Sequence, residues 1–384
     1  MLVEERYKVA SDEPIGTGGW CMVYRAEDTV IGRGVAVKTY SPQVVRSTED
    51  KALHSRFLKE IKTFERLGLG PPTIASQQLQ PISVVVSVLG RHGQQVDPRT
   101  CLVNLLDYSR DASTGQPGKA ADGKYYTVLE LAQDSLSSCI ERSQDLSFSD
   151  VRCIAVALAE ALTWIHACGL CHLDVKPDNL LQFGGSWKLI DLESCHDLDG
   201  RSIDSEAFTP LYASPELARS VASDGGQSCP PSGKMDVWGA GVVLLDVLYG
   251  GAALEETRAG FQAAGLFDEE YSPDTEWYKW LADESDPLKL TDYLPSSGFG
   301  RKLLQAQPDL QRLLQNLLCK DTLERWSARE FLDYFCEAES PPAVAADKPS
   351  SSEQPEVLAG SEPKKIPSAR AYPCRCCKRR RVMS

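Results

Sequence analysis

Between Cys171 and Asp191 the chain gathers side chains whose types suit the movement of a phosphoryl group. Asp174 is a carboxylate able to accept a proton, Lys176 follows two residues later as a cation, and Asn179 offers a neutral oxygen. The run Trp187-Lys188-Leu189-Ile190 then delivers a second carboxylate, Asp191, to the edge of a pocket. Phosphoryl transfer needs a base to orient the accepting hydroxyl, positive charge against the migrating group, and oxygen ligands for a hard cation such as Mg2+. This loop and strand carry all three kinds of group.

Other elements must hold them in place. Tyr7 to Val9 and Gly16 to Ala26 read as two strands around a glycine turn, Gly16-Thr17-Gly18-Gly19-Trp20-Cys21-Met22-Val23, where backbone N–H groups could approach phosphates. An ordinary hairpin turn explains the same glycines. Gly34-Val35-Ala36-Val37-Lys38 follows as an apolar strand closed by a lysine, which elsewhere is commonly a solvated strand end. From Ser55 to Leu67, apolar Phe57, Ile61, Phe64 and Leu67 recur at helical spacing beside a charged face with Glu60 and Glu65. After Gly68 a stretch of about 70–100 reads as an insertion holding one apolar run, Ile82 to Leu89, before Cys101 to Tyr108 resumes as a strand. A polar segment, Asp111 to Gly123, precedes the strand Lys124 to Leu131. Val151, Ile154, Leu158, Leu162 and Ile165 then mark a buried-face helix over Asp150 to Cys168, stopped by Gly169.

Composition sets the bounds. With 384 residues, 42% apolar and 25% charged, the chain can bury a large core, as one bilobal domain or two smaller ones. The opening residues Met1-Leu2-Val3-Glu4-Glu5-Arg6 lack the basic-then-apolar plan of a signal peptide, and no run is long enough to span a bilayer, so a cytoplasmic location is expected. Thirteen cysteines are then expected as free thiols. A formal charge of −13 argues against nucleic-acid binding by the folded body.

The opening loop, read as Cys171-His172-Leu173-Asp174-Val175-Lys176-Pro177-Asp178-Asn179 with Asp191-Leu192-Glu193 after it, resembles the catalytic loop and metal-binding motif of the eukaryotic protein kinase family, H-R-D-x-K-x-x-N followed by D-F-G. Gly34 to Lys38 is similar to that family's V-A-I-K, and Gly16 to Val23 to its phosphate loop, with Cys21 at the third glycine position. Thr209-Pro210-Leu211-Tyr212-Ala213-Ser214-Pro215-Glu216 resembles the substrate-docking loop and its A-P-E ending, with Ser214 replacing Ala. Asp236 to Leu245 looks like the family's buried central helix, and Arg325 sits where its arginine pairs with the glutamate at Glu216.

The resemblance covers roughly Tyr7 to Phe335 and implies an α+β bilobal fold. A small β-rich lobe over about 1–131, carrying the 70–100 insertion, would precede a larger, mainly helical lobe over about 132–336. ATP and Mg2+ are implied, with Mn2+ the alternative cation. Gly16, Gly18, Val23 and Ala36 would surround the nucleotide, and Lys38 would contact its α/β-phosphates with Glu60 as partner, Glu65 being the rival. Leu129 would guard the back of the adenine pocket, with backbone groups of Glu130, Leu131 and Ala132 on the adenine. Asp174 would take the proton of the acceptor hydroxyl, Lys176 steady the γ-phosphoryl, and Asn179 and Asp191 hold the metal. Thr209 and Glu216 belong to the implied substrate loop. Lys176 and Thr209 match the serine/threonine branch, so a protein substrate with Ser or Thr hydroxyls is expected.

Two departures bear on activity. Leu173, where the family usually has Arg, offers no donor to a phosphate on Ser202 or Ser205. Glu193, where the family has Gly, removes backbone freedom and adds a carboxylate near Asp191, whose repulsion a cation would relieve. A nucleotide-binding scaffold without transferase activity, a pseudokinase, is therefore the alternative, and a small-molecule kinase a third. From Glu337 onward a Pro/Ser/Ala/Glu-rich tail is expected to be disordered. Its end, Cys374-Arg375-Cys376-Cys377-Lys378-Arg379-Arg380-Arg381, reads as an acylated membrane attachment, a nuclear localisation signal with Lys364-Lys365, a zinc site short of a fourth ligand, or an unmodified solvated tail.

Overall fold

The computed structural model describes residues 2–3, 5–40, 49–71, 87–90, 93–142, 146–200, 203, 208–223, 229–265, 274–296 and 298–337. Ser202, Ser205, residues 72–86 of the insertion and the tail from 338, with all its cysteines and basic residues, lie outside the described residues.

The small lobe is built on one antiparallel sheet. Its strands are β1 (Leu2–Val3), β2 (Tyr7–Val9), β3 (Gly16–Thr17), β4 (Cys21–Asp28), β5 (Arg33–Tyr40), β6 (Leu105–Tyr108) and β7 (Tyr125–Glu130), in the order β1-β2-β4-β5-β7-β6, with β3 paired to β4. Successive strand residues point to opposite faces. Val35 and Val37 join Tyr7, Ala26, Tyr126 and Val128 in a small cluster on one face. Ala36 and Lys38, opposite Leu129 and Thr127 in the β5–β7 register, occupy the other.

Helix α1 (Glu49–Arg66) covers that second face. Phe57, Ile61, Phe64 and Leu67 are all buried, as their spacing predicts, and the Phe57 ring packs on Tyr40 and Tyr125. One expected boundary is wrong. Cys101 does not begin a strand but closes the one-turn helix α2 (Pro98–Cys101), and β6 starts four residues later. The reason is local: the Asp97 side chain accepts from the Arg99 N–H, and Pro98, with φ already fixed, starts the turn.

The larger lobe is mainly helical. β8 (Asp134–Ser135), α3 (Leu136–Arg142), α4 (Phe148–Ala167), β9 (Leu170–Cys171), β10 (Leu180–Phe183), β11 (Ser186–Leu189) and β12 (His196–Asp197) lead to α5 (Pro215–Ala222) and α6 (Gly233–Tyr249). The helices α7 (Glu255–Gly265), α8 (Thr275–Ala282), α9 (Phe299–Ala306), α10 (Pro308–Leu317) and α11 (Ala328–Glu337) complete it. Ser147 and Asp150 form a reciprocal capping box at the start of α4, and Gly169, at φ 73°, permits the turn after its end.

Every residue of α6 from Met235 to Leu248 is buried, so it runs through the interior with no solvent face. At Gly239 an added Cβ would come within 3.0 Å of the Val175 side chain and carbonyl, which is why the helix can lie directly under the loop after Asp174. One continuous apolar cluster joins α1 and β6 of the small lobe to α4, α6 and α10 of the large one.

Candidate active site

Lys38 lies within the buried stretch of β5, Val35 to Tyr40, and α1 turns Glu60 toward it. The Lys38 ammonium lies 2.9 Å from Glu60 Oε1, 3.1 Å from Glu193 Oε2 and 3.5 Å from Asp191 Oδ1. Burial works against the charge on Lys38, but Glu60, Asp191 and Glu193 outweigh it and hold the ammonium well above its ordinary range. Burial likewise pushes Glu60 up to about 7, against the pull of Lys38. Thr127 Oγ1 donates to the other Glu60 oxygen at 3.4 Å. Glu65, the rival partner, is exposed.

Glu193 does not face solvent. Its carboxylate bridges Lys38 to Arg56 Nη1, at 2.7 Å, and the Arg56 guanidinium lies 4.5 Å from the centre of the Trp20 ring at the tip of the glycine turn. Sequence reading passed over Arg56, although it lies one turn before Glu60 and therefore on the same side of α1.

The loop after β9 is hung from α6. Asp236, 1% exposed, accepts the backbone N–H groups of His172 (2.8 Å) and Leu173 (2.7 Å) and contacts His166 Nε2 (2.8 Å). Leu173 has φ 65°, a strained value for a side chain with a Cβ, and this twist turns the chain so that Asp174 follows on the outer side. The Leu173 side chain packs against the main apolar cluster. His172 Nε2 meets the Ile190 carbonyl at 2.8 Å, so the proton is on that nitrogen and Nδ1 accepts the Asp174 N–H at 3.3 Å.

Around Asp174 the polar groups close on themselves. Thr209 Oγ1 donates to Asp174 Oδ1 (2.9 Å) and accepts from Lys176 Nζ (2.9 Å), while Lys176 Nζ lies 2.7 Å from Asp174 Oδ2. Asn179 Nδ2 donates to the Asp174 carbonyl (2.8 Å) and to Oδ2 (2.9 Å). The amide orientation is thereby fixed, and among the described residues no donor meets the Asn179 side-chain oxygen. Asp191 sits at φ 61°, ψ 52°, a left-handed conformation that Asp tolerates better than most residues, and its side chain is 40% exposed. Asn179 and Asp191 thus present hard oxygen donors, the kind Mg2+ prefers.

Among the residues expected to surround a nucleotide, Gly16 lies opposite Val23 in the β3–β4 register, and Gly18 N–H closes the turn on the Cys21 carbonyl at 2.9 Å. Cys21 fits there because residue 18 lacks a side chain: a Cβ at Gly18 would lie 3.2 Å from Cys21 Sγ. Ala36 and Leu129 share the face that carries Lys38, and Leu131 packs over Gly34. The Glu130 N–H meets the Asn104 carbonyl at 3.4 Å, and among the described residues the Ala132 N–H has no partner. The Glu130 carboxylate was not anticipated as a structural anchor. It accepts from Lys188 Nζ on β11 (2.7 and 3.0 Å) and from the Asn104 backbone N–H (3.1 Å) and side chain, fastening the strand end at the lobe junction.

Farther from Lys38 and Asp174, Glu216 is forked by the buried Arg325 at 2.9 and 3.0 Å. Tyr212 donates to Asp246 Oδ2 at 2.8 Å. Burial pushes Asp246 up to about 7, against the Ala253 N–H and the Tyr212 hydroxyl, which favour its charged form.

Comparisons with known proteins agree with this architecture. A protein kinase domain family model matches residues 96–335, more than half of the chain and including the loops that carry Asp174 and Asp191; Lys38 and Glu60 precede the matched span. Testis-specific serine/threonine-protein kinase 3 of Mus musculus is 31% identical over 160 residues, 41% of this chain and 57% of that protein. CBL-interacting protein kinase 4 of Oryza sativa subsp. japonica is 27% identical over 314 residues, 79% of this chain and 54% of that one. The chain spans about half the length of these curated relatives. A solved chain from the CAK complex of Chaetomium thermophilum bound to ATP-gamma-S has a TM-score of 0.56 at 19% identity, covering 88% of this chain and 93% of that one, and so shares the fold. The match runs through α4, both loops, the docking segment and α6, and the bilobal architecture extends it to the strands before it: the chain belongs to the eukaryotic-like protein kinase family.

Proposed function

We propose that the chain is an ATP-dependent serine/threonine protein kinase. The observation that carries this reading is the closed set of contacts among Asp174, Lys176 and Thr209, which places a base, a cation and a hydroxyl from the docking segment within 3 Å of one another. An incoming Ser or Thr hydroxyl would donate to Asp174 and pass it its proton as the oxygen attacks the γ-phosphorus, while the bond from that phosphorus to the β,γ-bridging oxygen breaks and ADP leaves with the electron pair. Lys176 would neutralise charge on the migrating phosphoryl, and Lys38, fixed by Glu60, would hold the α/β-phosphates. Gly16, Gly18, Val23, Ala36 and Leu129 would enclose the nucleotide, with the backbone of Glu130 to Ala132 on its base. Magnesium, held by the Asn179 oxygen and Asp191, would shield negative charge on the phosphates.

The test is transfer from radiolabelled ATP to generic protein substrates, with Asp174→Asn as control. Label on Ser and Thr that disappears in the control supports the reading; label mainly on Tyr overturns the acceptor assignment. A second reading, a nucleotide-binding scaffold, draws on Glu193, whose contact with Lys38 no glycine could make. Nucleotide-dependent thermal stabilisation without any transfer would favour it. For location, the reading is a cytoplasmic protein whose C-terminal Cys/Arg stretch attaches it to membranes by acylation at Cys374, Cys376 or Cys377. Identical soluble fractions for the tagged full chain and its triple Cys→Ser variant would exclude that.

A further inference from the structure

The Lys38 ammonium donates hydrogen bonds to Glu60 at 2.9 Å and Glu193 at 3.1 Å and is ion-paired with Asp191 at 3.5 Å. A phosphate oxygen that contacts Lys38 enters a space these three carboxylates already crowd, and competes with them for the ammonium. The three are not equally easy to displace. Glu60 is 1% exposed and Lys38 is its one cation among the described residues, so releasing it would strand a buried charge. Asp191 is already the most distant. Glu193 differs from both because its second oxygen rests on Arg56 at 2.7 Å, so it can leave Lys38 and stay paired.

Local charge points the same way. In direct ion pairs, two cations, Lys38 and Arg56, face three carboxylates here, with Lys59 acting on Glu193 from farther away; a glycine at residue 193 would leave two ion-paired cations against two carboxylates. The extra negative charge opposes a bare polyphosphate and is relieved when a divalent cation accompanies it. Arg56, stacked on Trp20, ties the same carboxylate to the tip of the glycine turn.

We infer that Glu193 is a built-in competitor for nucleotide phosphate at Lys38, holding the ammonium until phosphate arriving with a divalent cation displaces it onto Arg56. This rests on the nucleotide-binding reading of the site and adds its regulation: the chain discriminates against nucleotide that comes without metal. Glu193 is thus a positioning residue for Lys38, acting by occupying it.

The experiment is calorimetric titration of the full-length protein with ATP, in parallel in EDTA and in excess Mg2+, for wild type, Glu193→Gln, Glu193→Gly and Arg56→Met. Losing a charge-assisted hydrogen bond of this kind corresponds to about tenfold in affinity, so both Glu193 variants should bind metal-free ATP about tenfold tighter than wild type. That advantage should shrink in Mg2+. Arg56→Met should shift the other way, binding metal-free ATP more weakly, because Glu193 then has no second cation to move to. Damage to the fold would weaken all variants together and cannot produce opposed shifts. If wild type binds in Mg2+ but the Glu193 variants gain nothing in EDTA, the inference fails while the nucleotide reading stands. If no protein binds under either condition, the nucleotide reading fails and the inference with it.

Discussion

Replacing Arg325 by Met should destabilise the large lobe severely. All five guanidinium N–H bonds are used: two fork Glu216, and the others reach the carbonyls of Cys319, Lys234 and, at 3.4 Å, Lys320. The residue is 1% exposed and its guanidinium lies 5.1 Å from the centre of the Trp238 ring on α6. Removing one member of a buried pair costs about 3–5 kcal/mol, because the survivor is left charged in a poor solvent, here Glu216 with 14% of its side chain exposed. Two well-bonded carbonyls also lose their donor, which places the total near the upper end, about 5 kcal/mol. At roughly 2–4 °C per kcal/mol for a domain of this size, the melting temperature should fall by about 10–20 °C. Arg325→Lys keeps the charge but not the planar fork and should recover less than half of the loss. The assay is thermal and chaemotropic unfolding of Arg325→Met, Glu216→Leu and the double variant, treated as a cycle. The double variant should be more stable than the two single losses summed. A single Met variant melting within about 3 °C of wild type, or simple additivity, would refute the reasoning.

Other outcomes follow from the same geometry. Thr209→Val deletes two hydrogen bonds to charged groups while Asn179 and Lys176 still hold Asp174, so kcat for protein phosphorylation should drop by about 10–100-fold with a small change in melting temperature; a drop under twofold would contradict the role given to this hydroxyl. Burial raises Asp246 to about 7, so its contribution to stability is full below its unfolded value near 4 and is lost as pH rises through about 7. Asp246→Asn should therefore gain in melting temperature relative to wild type between pH 6 and pH 8, and a constant difference across that range would show that Asp246 does not titrate there. Because Leu173 has no donor for a phosphate, Ser202→Ala/Ser205→Ala should keep phosphotransfer within about twofold of wild type, and loss of activity in that variant would disprove it.

What could be read from the sequence was what is local. The apolar run from Gly34 to Lys38 marks a buried strand, and the 3.6-residue recurrence of Phe57, Ile61, Phe64 and Leu67 shows which face of α1 is covered. That Glu60 is the partner of Lys38 came from the resemblance to the protein kinase family, since spacing alone puts Glu60 on the charged face of α1. Contacts set by the chain's path were not legible. Arg56 meets Glu193 across 137 positions and Lys188 meets Glu130 across 58, and a charged residue on a strand or helix looks the same whether it ends in water or on such a partner. Leu173 is a third case: its left-handed backbone is imposed by Asp236 drawing in two consecutive N–H groups, and nothing in the residue type announces it. The misplaced start of β6 had a signal, Asp97-Pro98, that apolar content overrode.

Asp236 and Asp246 belong to the same buried helix, ten positions apart. One fixes the loop bearing Asp174 and the other takes the hydroxyl of Tyr212, just after Thr209 in the docking segment. At 1.5 Å per residue, α6 is a rod that sets these two attachments roughly 15 Å apart along its axis, with their relative angle fixed by the helical twist. Spacing between the two loops is therefore metered by covalent geometry in the interior instead of by the loops themselves. Inserting one residue between the two aspartates would lengthen the rod by about 1.5 Å and turn one attachment by about 100°, misaligning the loops without altering any residue in either. Loop sequences are free to drift on such a mount, but the count of residues between its two carboxylates is not.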